Sequence, residues 1–265
     1  MSIQLDSLSE DEAASYVVTA AARGQGGRLV NPNVDVLRQA VADPDVRRLV
    51  AEADLVLPDG MPLVWASRLQ RSPLKARVPV SEAIATVCAY AARADVGVFL
   101  LGGSPGTAER SARLLAAAHP GLVAHHLCPP LGFEHDEAAM GEIIRCLEDA
   151  GPGVVFCAFG FPKQERLMEL LAARFPKMWF VGSGATFSMV AGETPKAPLW
   201  MRKVGLEWLQ RLLQEPKRLF GRYVVHDLPF ALRLLGASAR ARWAPARSAF
   251  VPPAPAPAVQ TREPM

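Results

Sequence analysis

Residues 154–165, VVFCAFGFPKQE, carry the pattern that decides the fold. The run of six apolar residues predicts a strand that is buried on both faces of a sheet. The glycine that follows suits a tight turn, and the proline suits the first turn of a helix, where its missing N–H is not needed. The segment therefore predicts a strand, a turn and a helix in immediate succession, which is the repeating unit of α/β proteins.

The same alternation continues through the first 200 residues. Segments with helical spacing, such as Thr107–Ala118, separate short apolar runs that predict six strands: Arg28–Asn31, Asp54–Pro58, Val96–Leu101, Leu122–His126, Val154–Phe159 and Met178–Gly182. This pattern predicts an α/β fold with a parallel sheet and helices on both faces. Ligands of such sheets bind beyond the carboxyl ends of the strands, so the loops near Asn31, Pro58, Gly102 and Phe159 form the candidate site.

The composition changes near residue 200. Residues 201–243 hold nine Lys or Arg against three acidic residues, a balance of +6, whereas residues 1–200 carry −4. An apolar residue recurs every four positions and predicts one helical stripe: Trp200, Val204, Trp208 and Leu212. We predict a core over 1–200, a basic helical appendage over 201–243 and a disordered tail over 244–265, which holds six prolines. The appendage is suited to meet phosphate on a membrane, a nucleic acid or a small ligand.

The composition argues against membrane-spanning and secreted proteins. No stretch approaches the roughly 18 apolar residues that a spanning helix needs. The N-terminus, MSIQLDSLSEDEAASYVV, lacks the basic segment and apolar run of a signal peptide. The four cysteines are scattered without CxxC spacing, which argues against a zinc site or a disulfide framework. We therefore expect a cytoplasmic protein.

Two polar motifs follow the first two predicted strands. Asn31-Pro32-Asn33 either caps the next helix or orients a ligand hydroxyl at the end of the sheet. Pro58-Asp59-Gly60 reads as a turn when taken alone. A carboxylate at the position of Asp59 is nevertheless placed where α/β proteins hold catalytic groups, and it has the chemistry of a general base.

Two glycine-containing loops follow later strands. Gly102-Gly103 precedes a helix and allows a ligand to approach the backbone, although it matches neither a P-loop nor a full GxGxxG. The loop at Gly160 leads into Lys163, Gln164 and Glu165, which either face the crevice, with Lys163 near a diphosphate, or form a solvated first turn.

A metal site is not expected. Asp43-Pro44-Asp45 matches the DxD pattern formally, but an aspartate followed by proline and a helical segment predicts an N-cap with proline at the first helical position. The five histidines show no metal-binding spacing. No cofactor is expected either.

In their order along the chain, the motifs resemble those of the WecG/TagA/CpsF family of bacterial glycosyltransferases. The resemblance covers about residues 28–235, and its most specific parts are Pro162–Glu165 and the segment from Gly205 to Tyr223. The other matching segments are Asn31–Asn33, Pro58–Gly60, Arg77-Val78, Leu100–Gly103, Gly132-Phe133, Ala191-Gly192 and Ala197–Trp200.

The resemblance implies a Rossmann-like core and an inverting transfer from a UDP-sugar to a sugar on a polyprenyl diphosphate, in the synthesis of cell-surface polysaccharide. It implies no cofactor and no nucleic-acid partner. Asp59 would be the catalytic base, and the basic appendage would close over the site at the anionic inner face of the plasma membrane. The residues implied to bind substrate are Asn31, Asn33, Arg77, Gly102, Gly103, Gly132, Phe133, Lys163, Gln164 and Glu165. Those implied to contact the diphosphate or the membrane are Arg211, Arg218 and Arg222.

Several positions depart from the family pattern. Asn31 stands where the family usually has Thr, and Val80 and Glu82 stand where Gly and Asp are usual. Lys196 replaces an Arg, and Ser188 replaces an Asp. These positions cluster around the expected sugar pocket, so the donor sugar stays open between an N-acetylmannosamine type, a uronic acid and a hexose.

Two other functions are compatible with parts of the sequence. An enzyme that modifies nucleotide sugars, or that uses a dinucleotide, would employ the Gly102-Gly103 loop, and it predicts a bound chromophore. A non-catalytic module that binds anionic polymers would employ the basic appendage, and it leaves Asp59 without a role.

Overall fold

The computed structural model describes residues 3–203 and 205–241. Its centre is a six-stranded parallel sheet, with strands in the order β2-β1-β6-β5-β3-β4. The strands are β1 (Gly27–Val30), β2 (Leu55–Val56), β3 (Val98–Gly102), β4 (Ala124–Leu127), β5 (Val154–Ala158) and β6 (Trp179–Gly182). Each predicted strand overlaps one of these, so the predicted α/β fold with a parallel sheet is confirmed.

Helices connect the strands and continue beyond the last one. They are α1 (Glu10–Ala22), α2 (Val34–Ala42), α3 (Pro44–Ala51), α4 (Met61–Leu69), α5 (Val80–Arg93), α6 (Thr107–Ala118), α7 (Glu137–Ala150), α8 (Lys163–Arg174), α9 (Thr186–Val190), α10 (Leu199–Lys203), α11 (Glu207–Gln214), α12 (Pro216–Phe220) and α13 (Leu228–Ala241). A short 3-10 helix spans Phe133–His135, and a π-helical segment spans Gly221–Asp227.

The core consists of two apolar layers, one on each face of the sheet. Alternate residues of β5 serve them: Val154 and Phe156 pack with α1, α5 and α6, whereas Val155 and Cys157 pack with α7 and α8. All four side chains are fully buried. This alternation explains why β5 reads as a continuous apolar run, because both of its faces require apolar residues.

The predicted bounds of β4, a strand at the edge of the sheet, differ from the observed ones. The segment predicted from Leu122 begins as β4 only at Ala124, and His125 and His126 are exposed. An edge strand has one neighbour and a partly solvated face, so its sequence carries a weaker apolar pattern than a central strand.

The C-terminal region, α10 to α13, packs against α2 and α4. At one end of α13, the Gln70 side-chain amide donates to the Ser238 hydroxyl at 2.8 Å. The predicted apolar stripe is largely unburied where it is described, since Trp200 is 61% exposed. Val204 and residues 242–265, including the predicted tail, lie outside the described residues, and the boundary at residue 200 stays a prediction. Within the described part of the chain, no helix is both long enough and apolar enough to cross a membrane.

The Asp43-Pro44-Asp45 motif begins a helix, as predicted. The Asp43 carboxylate accepts hydrogen bonds from the backbone N–H of Asp45 at 2.9 Å and of Val46 at 3.5 Å, and Pro44 occupies the first position of α3. The motif therefore satisfies backbone donors at a helix N-terminus.

Replacing this cap tests its role. We expect Asp43→Ala to lower the free energy of unfolding by about 0.5–2 kcal/mol, because backbone donors lose their acceptor. Asp43→Asn should unfold at nearly the wild-type denaturant concentration, since Asn caps equally well. Urea titrations followed by circular dichroism measure both variants. A metal-binding role for Asp43 would instead make both substitutions destroy activity with little effect on unfolding.

Candidate active site

A cavity of about 410 Å³ lies between the carboxyl ends of β1 and β2 and the C-terminal region. The sheet side of the cavity contributes residues that follow the strands, and α4, α11, the π-helical segment and α13 form the opposite walls. Of the residues predicted to form the site, it brings together Asn33, Asp59, Arg77, Arg211 and Arg222.

Asp59 is held rigidly beyond the end of β2. Its backbone N–H donates to the Pro32 carbonyl at 2.9 Å, which ties it to the loop after β1. The Val78 N–H donates to the Pro58 carbonyl at 2.8 Å, and this bond places the neighbouring Arg77 beside Asp59. Gly60 has a φ of 118°, a conformation that favours glycine, and it lets α4 begin immediately after Asp59.

The surroundings of Asp59 make its carboxylate a stronger base than usual. Burial, together with the negative charge of Glu207, raises the pKa of Asp59 to about 6, while Arg211 and Arg77 oppose the rise. A carboxylate with a pKa near neutrality is suited to accept a proton during a reaction and still be ionised at pH 7.

A cluster of alternating charges links the sheet to the C-terminal region beside Asp59. The Arg77 guanidinium contacts Glu82 at 2.9 Å and Glu207 at 3.3 Å, and Arg202 contacts Glu82 at 3.0 Å. The Nε atom of Arg202 is buried and has no hydrogen-bond partner among the described residues. The cluster therefore fixes arginines at the cavity and leaves one N–H donor unused.

A second group of charges fastens the C-terminal region to α2. Two buried carboxylates, Asp35 and Asp227, share two arginines: Arg38 contacts both, and Arg222 contacts Asp35 at 2.8 Å and Asp227 at 3.8 Å. Removing one partner would leave a buried charge unpaired, which is costly. The spacing of Asp35, Arg38 and Gln39 on α2 is a detectable sequence signal, but nothing in the sequence indicated Asp227.

Asn31 and Asn33 stabilise the loops at the site. The Asn31 side-chain amide donates to the Val78 carbonyl at 2.6 Å and so braces the segment that carries Arg77. Asn33 caps α2, because its side-chain oxygen accepts from the Val36 N–H at 3.1 Å. Of the two interpretations of this motif, Asn33 therefore has the helix-capping role and also lines the cavity.

A separate group of predicted residues follows β3, β4 and β5, outside the cavity: Gly102, Gly103, Gly132, Phe133, Lys163, Gln164 and Glu165. Gly102 has a φ of 99°, and a Cβ there would lie 2.8 Å from the Ala158 carbonyl oxygen. The Lys163 ammonium lies 4.6 Å from the centre of the Phe133 ring and contacts Glu134 at 2.6 Å. Gly102 is buried, and its missing Cβ makes room for Phe159 and Ala158, whereas Gly103 is exposed and Lys163 is a partly exposed cation.

Gln164 joins the loops that follow β5 and β6. Its side-chain oxygen accepts from the N–H of Gly160 at 3.2 Å and of Gly184 at 3.0 Å. Its nitrogen donates to the Glu165 carboxylate at 2.8 Å, and both side chains are buried. Burial raises the pKa of Glu165 to about 7. Of Lys163, Gln164 and Glu165, only Lys163 is partly exposed. Gln164 and Glu165 are buried, and Gln164 holds the two loops together through its hydrogen bonds.

The predicted arginines of the C-terminal region have different surroundings. Arg211 lines the cavity, with its guanidinium 3.8 Å from the Met189 sulfur. Arg218, on α12, is exposed and pairs with Glu215, which precedes that helix; Arg218 does not line the cavity. Sequence reasoning did not select Arg202 or Glu207 as site residues, although both line the cavity. Among the described residues, no three His, Cys, Asp or Glu side chains are grouped so that they could hold a metal ion.

Comparison with known proteins gives a consistent result. The family model "Glycosyl transferase WecG/TagA/CpsF family" matches residues 1–244. Two curated relatives are both named N-acetylglucosaminyldiphosphoundecaprenol N-acetyl-beta-D-mannosaminyltransferase. The protein from Bacillus subtilis (strain 168) is 26% identical over 193 residues, which is 73% of each chain. The protein from Bacillus spizizenii (strain ATCC 23059 / NRRL B-14472 / W23) is 26% identical over 219 residues, 81% of this chain and 83% of the relative. The chain is therefore a glycosyltransferase and belongs to the WecG/TagA/CpsF family.

Proposed function

We propose that this glycosyltransferase moves a sugar from a UDP-sugar to a hydroxyl of a lipid-diphosphate-linked sugar, with inversion, in the synthesis of a cell-envelope polysaccharide. The observation that carries the proposal is the Asp59 carboxylate, whose pKa is raised to about 6, in a cavity lined by Arg77, Arg202 and Arg211. The names of the two relatives support an acceptor of N-acetylglucosamine on undecaprenyl diphosphate and a donor of the N-acetylmannosamine type.

The donor lies along the carboxyl ends of the strands in this proposal. Strands β2 and β5 are separated by β1 and β6, which puts them roughly 14 Å apart at the usual strand spacing. A nucleotide sugar can extend over that distance from Lys163, after β5, towards Asp59, and the Gly102-Gly103 loop lies one strand further on. The exposed Gly103 lets the nucleotide approach the backbone, and Lys163 supplies a positive charge for phosphate.

The reaction proceeds by a single displacement. Asp59 takes the proton from the acceptor hydroxyl as the hydroxyl oxygen attacks the anomeric carbon. The bond from that carbon to the diphosphate oxygen breaks on the opposite face, and its electron pair leaves with UDP, so the configuration inverts. Arg77, Arg202 and Arg211 stabilise the charge that develops on the diphosphate. Glu82 and Glu207 keep two of these arginines in place before the substrate arrives.

The protein works at the inner face of the plasma membrane in this proposal. The C-terminal region exposes large apolar side chains next to cations, including Leu213, Lys217, Arg218 and Phe220. Exposed aromatic and basic residues together suit anionic lipid headgroups. Peripheral binding would bring the cavity to an acceptor whose lipid is embedded in the membrane.

The direct test offers the purified protein a panel of UDP-sugars with a lipid-diphosphate-linked N-acetylglucosamine acceptor. Mass spectrometry identifies the donor by the mass that the acceptor gains, and NMR of the product establishes the anomeric configuration. The proposal expects one preferred donor and an inverted product. If no UDP-sugar gives a product, or if the anomeric configuration is retained, the proposed reaction is wrong.

Asp59→Asn tests the catalytic base. We expect transfer to fall by about 10²–10⁴-fold, the usual contribution of a positioned base, with little change in UDP affinity. The variant should also unfold at a higher temperature than the wild type at pH 7.5, because the raised pKa means that folding penalises the charged carboxylate. This gain should shrink as the pH falls from about 6 towards 4, where Asp59 becomes protonated.

Retention of more than about a tenth of the wild-type rate would remove Asp59 as the base. The thermal measurement serves as the control for folding, since loss of activity with a raised unfolding temperature identifies a chemical role.

The pH profile provides a second test of the base. Because only the ionised carboxylate accepts a proton, kcat/KM should rise as the pH increases through about 6 and level off above pH 7. Glu207→Gln removes a negative charge that raises the pKa of Asp59, so the rising limb should move to lower pH. If kcat/KM rises at the same pH in both proteins, a group other than Asp59 titrates.

Membrane binding depends on the basic surface of α12 in this proposal. We expect the double variant Lys217→Gln and Arg218→Gln to bind anionic vesicles on the order of tenfold more weakly, since each cation near such a surface contributes roughly 1 kcal/mol. The matched control removes two exposed arginines of α6, by Arg110→Gln and Arg113→Gln. Vesicle sedimentation at low and high salt measures both proteins. Equal losses in the two would indicate nonspecific attraction by net charge.

A further inference from the structure

We propose that the apolar part of the cavity receives the first isoprene units of the acceptor lipid, next to its diphosphate. This apolar limb is lined by Met61 and Trp65 of α4, Trp208 of α11, and Leu228, Leu232 and Leu235 of α13. The inference rests on the proposed function and assigns a binding subsite to part of the acceptor.

The cavity is lined by both charged and apolar side chains. Asp59, Arg77 and Arg211 line it together with the six apolar side chains of the limb, five of which lie on α4 and α13. Several of the six are poorly buried for their size, since Leu232 is 62% exposed and Leu228 is 43% exposed. Large apolar side chains that face a cavity and remain accessible are typical of a surface that an apolar ligand covers.

The limb is a built feature of the fold. Gly205 brings the chain against α4 so closely that a Cβ there would lie 2.6 Å from the Cβ of Met61. The Gln70–Ser238 hydrogen bond holds one end of α13, and the ion pairs of Asp227 hold the chain just before its other end. Because both ends of α13 are fastened to the core, the space between α13 and α4 is fixed.

The combination of chemical groups in the cavity selects its occupant. A lipid-linked acceptor presents a sugar hydroxyl, a diphosphate and an apolar chain. The cavity offers a base for the hydroxyl and, mainly on α4 and α13, the apolar limb for the chain. A UDP-sugar has no apolar chain and leaves the limb unfilled. The exposed Val225, Leu228 and Leu232 continue from the limb onto the outer surface, which gives the remaining chain an apolar path outwards.

Filling the limb tests this assignment without a membrane. Two soluble acceptors carry N-acetylglucosamine on a diphosphate, one esterified with farnesol and one with methanol. We expect the wild type to use the farnesyl acceptor with a kcat/KM at least about tenfold higher, because only its isoprene units bury apolar surface in the limb. Ala231→Phe places a ring in the limb and should remove most of this preference through KM, while use of the methyl acceptor changes less than about twofold.

Ala237→Phe is the matched control, because Ala237 is on the same helix, is exposed and does not line the cavity. It should retain the wild-type preference. Leu232→Gln provides a second variant at an exposed position, where folding is little affected, and it should weaken the farnesyl preference in the same way as Ala231→Phe.

Binding of farnesyl diphosphate, measured by calorimetry, separates this inference from the proposed function. The inference expects weaker binding to Ala231→Phe than to the wild type and to Ala237→Phe. Equal binding to all three proteins, or equal use of the two acceptors by the wild type, would overturn the inference and leave the proposed function intact. A loss of UDP affinity in Ala231→Phe would assign the limb to the nucleotide and would also overturn it. Failure of the wild type to transfer to either acceptor would instead contradict the proposed function.

Discussion

Two buried carboxylates that share two arginines hold the C-terminal region of this enzyme against its core, beside the cavity. Asp35 lies on α2, Asp227 ends the π-helical segment, and Arg38 and Arg222 lie between them. Buried ions are tolerated only when they are paired, so the C-terminal region cannot leave α2 without exposing or orphaning these charges. The docked position of α13 and the cavity wall that faces Asp59 both follow from this attachment.

The chemistry of Asp59 depends on the same arrangement. The C-terminal region brings Glu207 and Arg211 to a carboxylate that would otherwise stand open at the end of β2, and Glu207 is the larger of the two influences on its pKa. Burial is the main cause of the pKa of about 6, and the charge of Glu207 adds to it, so this value belongs to the assembled core and C-terminal region together. The proposed base is tuned by a segment about 150 residues away along the chain.

The sequence predicted the sheet well, because its central strands are short apolar runs that are buried on both faces. It also identified Asp59, Arg77 and Arg211, which the fold brings to one cavity. It could not show that Asp35 and Asp227 would meet, since ion pairs between distant segments leave no periodic signal. The burial of Gln164 and Glu165 was equally hidden, because a polar first turn is normally solvated and only the neighbouring loops reveal that these side chains have backbone or carboxyl partners.

The single side chain of Gln164 makes the loops after β5 and β6 mechanically dependent on each other. One carbonyl oxygen accepts from both Gly160 and Gly184, so displacement of either loop disturbs the bond that holds the other. We therefore expect the two loops to open together. The backbone amide hydrogens of Gly160 and Gly184 should then exchange with solvent at similar rates. If a nucleotide binds at one loop, as proposed, it would damp the motion of both, and rigidity would spread across the sheet edge without any change in its shape.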